Sequence, residues 1–330
     1  MEYARLGRSG LKVSKIGLGT NAFGTRADLS QARAVLEAAV AEGITLIDTA
    51  NTYGQTQSES MIGQVLAETG WRDRVLLATK GGMPRGEGPM DVGASRWHLM
   101  REVEGSLRRL RTDYLDLYQV HSFDPNTPLE ETLATLDALV RSGKVRYIGC
   151  SNYLAWELMR ALGISRERGW EPFISVQPGY SLVDRGPERE LIPLCVDQGV
   201  GLIAYFPLAG GILTGKYRPG APPPPGSRAD RDPRFRQRLD QKRLTVGEAV
   251  AAVAKEVGVT PAQLALAWLI HRPAVASAIA GATRPEQVRE NAGAVRVPWT
   301  PELEARLDAM TEEFVWSPPF SVSRLPKDAS

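Results

Sequence analysis

The stretches that decide the fold read ITLIDTANTYG at 44–54, RVLLATKGG at 74–82 and YLDLYQVHS at 114–122. Each run is short, apolar and rich in strand-forming residues, and each ends at a titratable side chain. Asp48 ends the first run, Lys80 the second and His121 the third. Charged side chains are rarely buried without partners. We therefore predict that the three strand ends meet and form a proton-transfer site.

The same rhythm of a short apolar run and a helical pattern continues along the chain. Strands are predicted near residues 16, 45, 76, 116, 147, 174, 202 and 278, and a helical pattern follows each one. This alternation favours parallel strands joined by right-handed crossovers. Eight such units that close on themselves form a TIM barrel, so we predict a single (β/α)8 domain of the α/β class over residues 1–330.

Turn and cap patterns place the other elements. Helices are predicted at about 30–42, 58–68, 95–111, 153–162, 187–198 and 301–314, and three more begin at capping boxes at Thr127, Thr260 and Thr283. Residues 2–14 predict a β-hairpin that covers one end of the barrel. Residues 209–246, which include APPPPG, interrupt the rhythm after strand seven and predict a long lid or binding loop.

Composition limits the class of protein. The 330 residues carry a net charge of +2, with 24% charged and 43% hydrophobic residues, which is ordinary for a globular chain. No basic block predicts nucleic-acid binding, and no apolar run approaches the roughly 20 residues of a membrane span. The N-terminus lacks a hydrophobic signal core, and two cysteines give no disulfide framework. We predict a cytoplasmic protein with no metal site, of undetermined oligomeric state.

Four side chains near the strand ends can carry proton chemistry: Asp48, Tyr53, Lys80 and His121. A tyrosine has a reference pKa of about 10 and is a weak acid at neutral pH. The Lys80 ammonium, held by Asp48, would lower the pKa of Tyr53 and make it a general acid. His121 would hydrogen-bond a carbonyl or relay the proton. Each residue alone has an ordinary structural explanation, and their order at successive strand ends favours the joint one.

These residues also carry a family resemblance. The segments D-T-A-x-x-Y-G from Asp48, T-K at 79–80, V-H-S at 120–122 and G-x-S-N at 149–152 resemble the aldo-keto reductase superfamily, and the similarity runs from GLGT at 17–20 to GATRPEQVREN at 281–291. The resemblance implies a (β/α)8 barrel, a catalytic tetrad of the four residues above, and NADP(H) bound without a Rossmann motif. It also implies that Ser151, Asn152 and Gln177 hold the nicotinamide carboxamide and that Tyr205 stacks on the ring.

Two segments have phosphate-binding features of their own. GGILTGKY at 210–217 nearly fits a Walker A loop, but Tyr217 replaces the Ser or Thr that binds Mg²⁺, which disfavours a nucleotide hydrolase. A Gly-rich turn with Lys216 can still receive a pyrophosphate. The helix start at Arg284 offers N–H groups, a dipole and a guanidinium, which suit the 2′-phosphate of NADP(H). Gln287 stands where some relatives have Arg, so the grip on phosphate is expected to rest on Arg284.

The resemblance and these patterns together give the complete predicted site. The predicted cofactor-binding residues are Thr20, Asp48, Ser151, Asn152, Gln177, Tyr205, Phe206, Pro207, Leu208, Gly211, Lys216, Arg228, Gly281, Thr283, Arg284, Gln287, Glu290 and Asn291. The predicted substrate-binding residues are Asn21, Phe23, Tyr53, Met83, Arg85 and His121. This pocket is mostly apolar, with Arg85 as one anion anchor, and it leaves the substrate undetermined.

Three functions follow from these patterns. The first is an NADP-dependent oxidoreductase that reduces aldehydes or ketones to alcohols and runs in both directions. The second is a regulatory or redox-sensing barrel that binds the cofactor with little turnover, since some relatives are beta subunits of potassium channels. The third is an unrelated TIM-barrel enzyme, such as an aldolase that uses Lys80 as a Schiff base. Asp48 and Tyr53 favour the first.

Overall fold

Eight short parallel strands close into a barrel. The computed structural model describes residues 1–320 and 324–327. Its strands there are β1 (Tyr3–Arg5), β2 (Lys12–Ser14), β3 (Ile16–Gly19), β4 (Leu46–Asp48), β5 (Leu76–Gly81), β6 (Leu115–Val120), β7 (Val145–Ser151), β8 (Ser175–Gln177), β9 (Gly201–Ala204) and β10 (Val275–Gly281). Strands β3 to β10 pair in sequence order, and β10 closes on β3. The predicted (β/α)8 barrel is confirmed.

The strand register brings polar side chains to one rim. Asp48 is the last residue of β4, Lys80 lies opposite Gln119 near the ends of β5 and β6, and Ser151 lies opposite Gln177 at the ends of β7 and β8. The strands before these positions are buried almost throughout, so polar groups collect where the strands stop. In a parallel barrel this carboxyl-end rim is the usual place of a functional site.

Helices pack around the outside of the barrel. In the described ranges they are α1 (Leu29–Ala41), α2 (Gln57–Thr69), α3 (Arg96–Leu110), α4 (Leu129–Arg141), α5 (Ala155–Arg168), α6 (Leu191–Gln198), α7 (Arg228–Arg231), α8 (Pro233–Arg236), α9 (Gln241–Val257), α10 (Pro261–Ile270), α11 (Pro285–Ala292) and α12 (Pro301–Thr311). The apolar positions of α3 at Leu99, Val103, Leu107 and Leu110 are all buried, as their spacing predicts. Gly43 follows the C-cap of α1 in a left-handed conformation, with φ at 75°.

Helix α9 corrects the prediction of a continuous loop over 209–246. The helix begins at Gln241, where the Asp240 carboxylate accepts a hydrogen bond from the Arg243 N–H at 2.9 Å. Its buried positions include Leu244, Val246 and Val250, and the small or polar residues between them weaken the apolar pattern. The short helices α7 and α8 also lie within the predicted loop. Sequence periodicity missed these helices because the preceding Gly, Pro and Arg residues suggest irregular structure.

Only one of the three predicted capping boxes forms. The Thr260 hydroxyl caps α10 by accepting the N–H of its third residue at 3.2 Å. The Thr127 hydroxyl instead donates to the Asp124 carboxylate at 2.6 Å, so α4 has no side-chain cap. Thr283 bonds to Gln287, so α11 also begins without one. The pattern cannot show that a nearer partner competes for the threonine.

Helix α10 is buried along almost its whole length, with all of its residues from 264 to 270 inside the protein. It packs between β10 and the neighbouring helices α9 and α11. No single helix of the described residues is long and apolar enough to cross a membrane. The pair α9 and α10 meets that test only in combination, by length and composition, and is bent by 93° at its break.

The N-terminal hairpin covers the amino end of the barrel, as predicted. Strands β1 and β2 pair antiparallel. Leu6 and Val13 of the hairpin are fully buried and pack against Leu46, Leu117 and Ile203 of the barrel strands. One end of the barrel is therefore closed by apolar packing, and the polar rim lies at the other end.

Candidate active site

A buried ion pair lies at the centre of the polar rim. The Lys80 Nζ donates to the Asp48 Oδ2 at 2.6 Å and to the Thr49 carbonyl at 2.9 Å. Both charged side chains are almost completely buried. Burial alone would lower the pKa of Lys80, but Asp48 and Tyr53 outweigh it and the pKa is raised. Lys80 is therefore an ammonium at neutral pH, held at a fixed point of the rim.

Tyr53 lies over this ion pair on the loop after β4. The Lys80 Nζ is 5.2 Å from the centroid of the Tyr53 ring, and the tyrosine is half-buried. Burial is the strongest influence on the pKa of Tyr53 and raises it, while Lys80 acts in the opposite direction. The predicted lowering of this pKa is therefore wrong, because desolvation of the phenol outweighs the nearby cation. Tyr53 keeps its proton at neutral pH and can act as a donor.

His121 lies beside Tyr53, with the two rings edge to face and their centroids 6.0 Å apart. Its backbone N–H donates to the Gly81 carbonyl at 2.8 Å, which fixes the residue just beyond β6. Burial and the Lys80 charge lower the pKa of His121 to about 3. Its Nδ1 is buried and has no hydrogen-bond partner in the described part of the chain. The imidazole is therefore neutral, and one polar atom is left for a ligand.

Two glutamine side chains hold the second oxygen of Asp48. The Gln177 Nε2 donates to Asp48 Oδ1 at 2.8 Å, and the Gln119 Nε2 lies 3.5 Å from the same atom. Gln177 was predicted only as a contact to the nicotinamide, and Gln119 was not predicted at all. A lone amide within the apolar run of β6 was the available indication. These bonds orient the carboxylate toward Lys80.

A hydrogen-bonded cluster joins the predicted carboxamide residues to the tetrad. The Asn152 Nδ2 donates to the His121 carbonyl at 2.9 Å, and the Asn152 Oδ1 accepts the Tyr205 hydroxyl at 2.8 Å. The Ser151 hydroxyl donates to the Gln177 carbonyl at 2.8 Å. Asn152 has a φ of 56°, in the left-handed region that asparagine tolerates better than most residues. The cluster places the Asn152 amide beside His121 and the Tyr205 ring next to that amide.

A cavity of about 440 Å³ extends from Asp48 and Tyr53 to the segments after β9 and β10. The predicted residues that line it are Thr20, Asn21, Asp48, Tyr53, Tyr205, Phe206, Pro207, Leu208, Gly211, Lys216, Arg228, Gly281, Thr283, Arg284 and Gln287. Ser151, Asn152, Gln177, Lys80 and His121 lie outside the lining but contact residues that belong to it or to one another. Most of the predicted site is therefore brought together.

Positive charge surrounds the far end of the cavity. Lys216, Arg228 and Arg284 line it as predicted, and Arg26 joins them from the turn after β3. Burial and the charges of Arg26, Arg284 and Arg228 lower the pKa of Lys216. Among the described residues, Asp48 is the only carboxylate that lines the cavity, and it is already paired with Lys80. This end therefore suits a strongly anionic group such as a phosphate.

Arg26 was missed by the sequence analysis. It lies on an exposed turn, where a lone arginine ordinarily reads as solvated. The pattern that reveals it is three-dimensional, because its charged neighbours come from the segments after β9 and β10.

Gly211 allows Lys216 to reach this cavity. The glycine has a φ of 105°, and a Cβ on it would lie 2.4 Å from the Lys216 Cε and 2.6 Å from its Nζ. The lysine therefore folds directly over the glycine backbone. The predicted Gly-rich turn with one lysine forms, as a 3₁₀ segment, Ala209–Thr214, rather than as the loop and long helix of a Walker A motif.

Five further predicted residues also lie outside the cavity lining: Phe23, Met83, Arg85, Glu290 and Asn291. Phe23 is fully buried in the core and does not face the cleft, and Asn291 is also buried. The Arg85 Nη1 lies 3.2 Å from the Glu102 carboxylate, so its charge is paired rather than free to anchor a substrate. The lining also includes unpredicted polar residues, Thr214 and Ser227.

Comparisons with known proteins agree with this geometry. A family model described as the aldo/keto reductase family matches residues 15–312. An uncharacterized oxidoreductase, YrpG, of Bacillus subtilis (strain 168) is 38% identical over 313 residues, 92% of this chain and 94% of that protein. A probable voltage-gated potassium channel subunit beta of Arabidopsis thaliana is 36% identical, over 90% of this chain and 92% of the relative. The L-glyceraldehyde 3-phosphate reductase of Escherichia coli (strain K12) is 36% identical, over 89% and 88%.

Proposed function

Because the chain belongs to the aldo/keto reductase family and has the general function of an oxidoreductase, we propose that it is an NADP(H)-dependent enzyme that reduces an aldehyde or ketone to the alcohol, reversibly. One observation carries the proposal. The half-buried Tyr53 lies over the buried Lys80–Asp48 pair at one end of a cavity, and four cations surround the other end. A proton donor and a group of cations that can bind phosphate therefore lie at the two ends of the same cavity.

Tyr53 is the general acid of the proposed reaction. With its pKa raised, the phenol is protonated at neutral pH and can give its proton to the developing alkoxide oxygen. As the proton leaves, the Lys80 ammonium stabilises the phenolate that forms. Asp48 keeps Lys80 charged and in place through the 2.6 Å contact. In the oxidation direction the same phenolate takes the proton from an alcohol.

His121 orients the carbonyl. Its neutral ring keeps one N–H, which can donate a hydrogen bond to the substrate oxygen without adding a charge beside Lys80. With a pKa of about 3 it is a poor proton relay at neutral pH, so the structure favours the orienting role over the relay. Removing it should therefore impair substrate positioning more than proton delivery.

The proposed cofactor fits the residues of the cavity. In the reduction, bound NADPH would supply the hydride for the carbonyl carbon and leave as NADP⁺. Ser151 and Asn152 would hold its amide group, and the Tyr205 ring would cover the nicotinamide. Arg26, Lys216, Arg228 and Arg284 would neutralise its phosphates. Burial, and after it the charges of the three arginines, lower the pKa of Lys216, so a bound anion would relieve the repulsion among these cations.

The decisive experiment is Tyr53→Phe, assayed with NADPH against a panel of aldehydes and ketones. The substitution removes only the hydroxyl, so the NADPH dissociation constant should change by less than about three-fold. The rate of reduction should fall about 10²- to 10⁴-fold, which is the usual contribution of a positioned general acid to the rate. Turnover close to that of the wild type would overturn the assignment of Tyr53.

A second candidate is a cofactor-binding regulatory barrel with little turnover. The 36% identity to the probable potassium channel subunit beta favours it. The same site would then bind NADPH without rapid consumption. Tight NADPH binding by the wild type together with no measurable oxidation on the whole carbonyl panel would favour this candidate over the enzyme.

A further inference from the structure

The loop that carries Tyr53 is attached to helix α3 by one buried carboxylate. The Asn51 Nδ2 donates to the Glu102 Oε2 at 2.8 Å, and Glu102 is only 4% exposed. The backbone N–H of Asn51 also donates to the carbonyl of Lys80 at 3.1 Å. Asn51, two residues before Tyr53, thus joins the strand that carries Lys80 to Glu102.

The same carboxylate holds a second loop, residues 82–94 after β5. The Arg85 Nη1 lies 3.2 Å from the Glu102 Oε2, and the Arg85 side chain is 26% exposed. Two further contacts join this loop to α3: Arg101 pairs with the Asp91 carboxylate at 2.6 Å, and the His98 ring bonds to the carbonyl of residue 90 at 3.1 Å. His98, Arg101 and Glu102 are spaced as one helix face.

Glu102 differs from the other two anchors because it holds both loops at once. The Asn51 Oδ1 has no hydrogen-bond partner within the described ranges, so the bond to Glu102 sets the direction of this amide. A buried carboxylate in turn requires partners: Asn51 and Arg85 contact its Oε2, and the Arg101 Nε lies 3.6 Å from its Oε1. The position of the Tyr53 loop and that of loop 82–94 therefore depend on one acceptor.

We propose that Glu102 is a positioning residue for the reduction. Through Asn51 it fixes the loop that holds Tyr53 over Lys80, and through Arg85 it holds loop 82–94 at the same rim. This inference rests on the proposed function. Misplacing a catalytic group by about 1 Å can cost about 10²-fold in rate. Glu102 acts on the reaction through that geometry and touches no reacting atom.

Glu102→Ala and Glu102→Gln separate positioning from general support of the fold. The alanine variant removes the acceptor, so kcat should fall about 10- to 100-fold. Neither Glu102 nor Asn51 lines the cavity, so the NADPH dissociation constant should stay within about three-fold of the wild type. The glutamine variant still accepts the Asn51 hydrogen bond and should restore kcat to within about three-fold. It lacks the charge that Arg85 requires, so KM should rise.

Hydrogen exchange of the free protein gives a readout that does not require turnover. Peptides from 49–56 and from 82–94 should both exchange faster in Glu102→Ala, and only 82–94 should exchange faster in Glu102→Gln. If the wild type reduces no carbonyl, the proposed function fails, but this exchange pattern still tests the positioning role. Unchanged exchange of 49–56 in the alanine variant overturns it, as does a glutamine variant with the same loss of kcat.

Two further variants complete the experiment. Glu104→Ala is the control on the same helix, because Glu104 is half-buried and its salt bridge within the described ranges is to Lys144, away from both loops, so the variant should leave kcat unchanged. Asn51→Ala covers the case in which Glu102→Ala fails to fold. It should lower kcat about 10- to 100-fold while peptides from 82–94 keep their wild-type exchange, because Arg85 retains its partner. Wild-type kcat in Asn51→Ala overturns the proposal.

Discussion

Each charge at the rim follows from what its side chain touches. Lys80 keeps its proton because Asp48 outweighs the cost of burial, and His121 loses its proton because burial and Lys80 act in the same direction. Burial also holds Tyr53 in its neutral form. At neutral pH the site therefore has one paired cation and two neutral groups that can donate hydrogen bonds. This set of protonation states suits donation to a carbonyl oxygen.

Arg284 is the residue that should distinguish the two nicotinamide cofactors. It is the N-cap of α11, lines the cavity and lies close enough to lower the pKa of Lys216. Arg284→Ala should weaken NADPH binding about 10- to 100-fold, since a charge-assisted hydrogen bond contributes about 1.5–3 kcal/mol. NADH lacks the 2′-phosphate, so its dissociation constant should change little. Titration of cofactor fluorescence measures both values.

The control for Arg284 is Arg289→Ala on the same helix. Arg289 is 58% exposed and lies outside the cavity lining, so neither cofactor should bind more weakly. Equal losses of NADPH and NADH in Arg284→Ala would contradict a role in recognising the 2′-phosphate.

Helix α2 packs closely against the backbone of the end of α3 at Gly63. A Cβ on this glycine would lie 2.2 Å from the Arg109 carbonyl oxygen and 2.6 Å from the Leu110 carbonyl carbon. Both neighbours are backbone atoms, so they can give way only if a helix moves. Gly63→Ala should therefore lower the free energy of unfolding by about 1–3 kcal/mol, as overpacking does. Urea denaturation measures the change.

Gly163 provides the matched control in α5. A Cβ there would meet nothing within 4 Å, and its backbone is helical. Gly163→Ala should raise the free energy of unfolding by about 0.5–1 kcal/mol through helix propensity alone. If Gly63→Ala were as stable as the wild type, the two helices would pack less tightly than their contact indicates.

The residues that close the barrel by apolar packing and the residues of the candidate site lie at opposite ends of the barrel axis. Leu6 is fully buried under the amino end, and Tyr53 and Lys80 lie at the opposite rim. Leu6→Ala should therefore lower the free energy of unfolding by about 2–5 kcal/mol, the usual cost of such a cavity. The kcat measured well below the melting temperature should stay within about two-fold, because sites without shared partners behave independently.

Arg5→Ala is the control for the hairpin, because Arg5 is the exposed last residue of β1 and directly precedes Leu6. It should change the free energy of unfolding by less than about 0.5 kcal/mol. A large loss of kcat in Leu6→Ala would show that the two ends of the barrel are coupled.

The sequence alone determined the barrel and the position of Asp48, Lys80 and His121 at its rim. Apolar runs separated by helical patterns are a local property, and they gave all eight barrel strands. A polar residue at the end of such a run must lie at the carboxyl-end rim, so the sequence predicts the position of Asp48, Lys80 and His121. The helix caps and helix α9 could not be predicted from local sequence patterns. Each depends on which neighbour in the fold competes for a hydrogen bond or covers an apolar face.

The tertiary structure alone decided how the site is charged and held. The pKa of Tyr53 rises because the fold partly buries its phenol, and no spacing of residues encodes that burial. Arg26 joins the cation cluster from a distant turn. Arg85, which was predicted to bind the substrate, instead pairs with a carboxylate on α3. The contacts of Glu102 with Asn51 and Arg85 also depend on the tertiary structure, since residues 51, 85 and 102 meet only after the barrel has closed. Local patterns fix elements, whereas desolvation and long-range partners exist only in the folded chain.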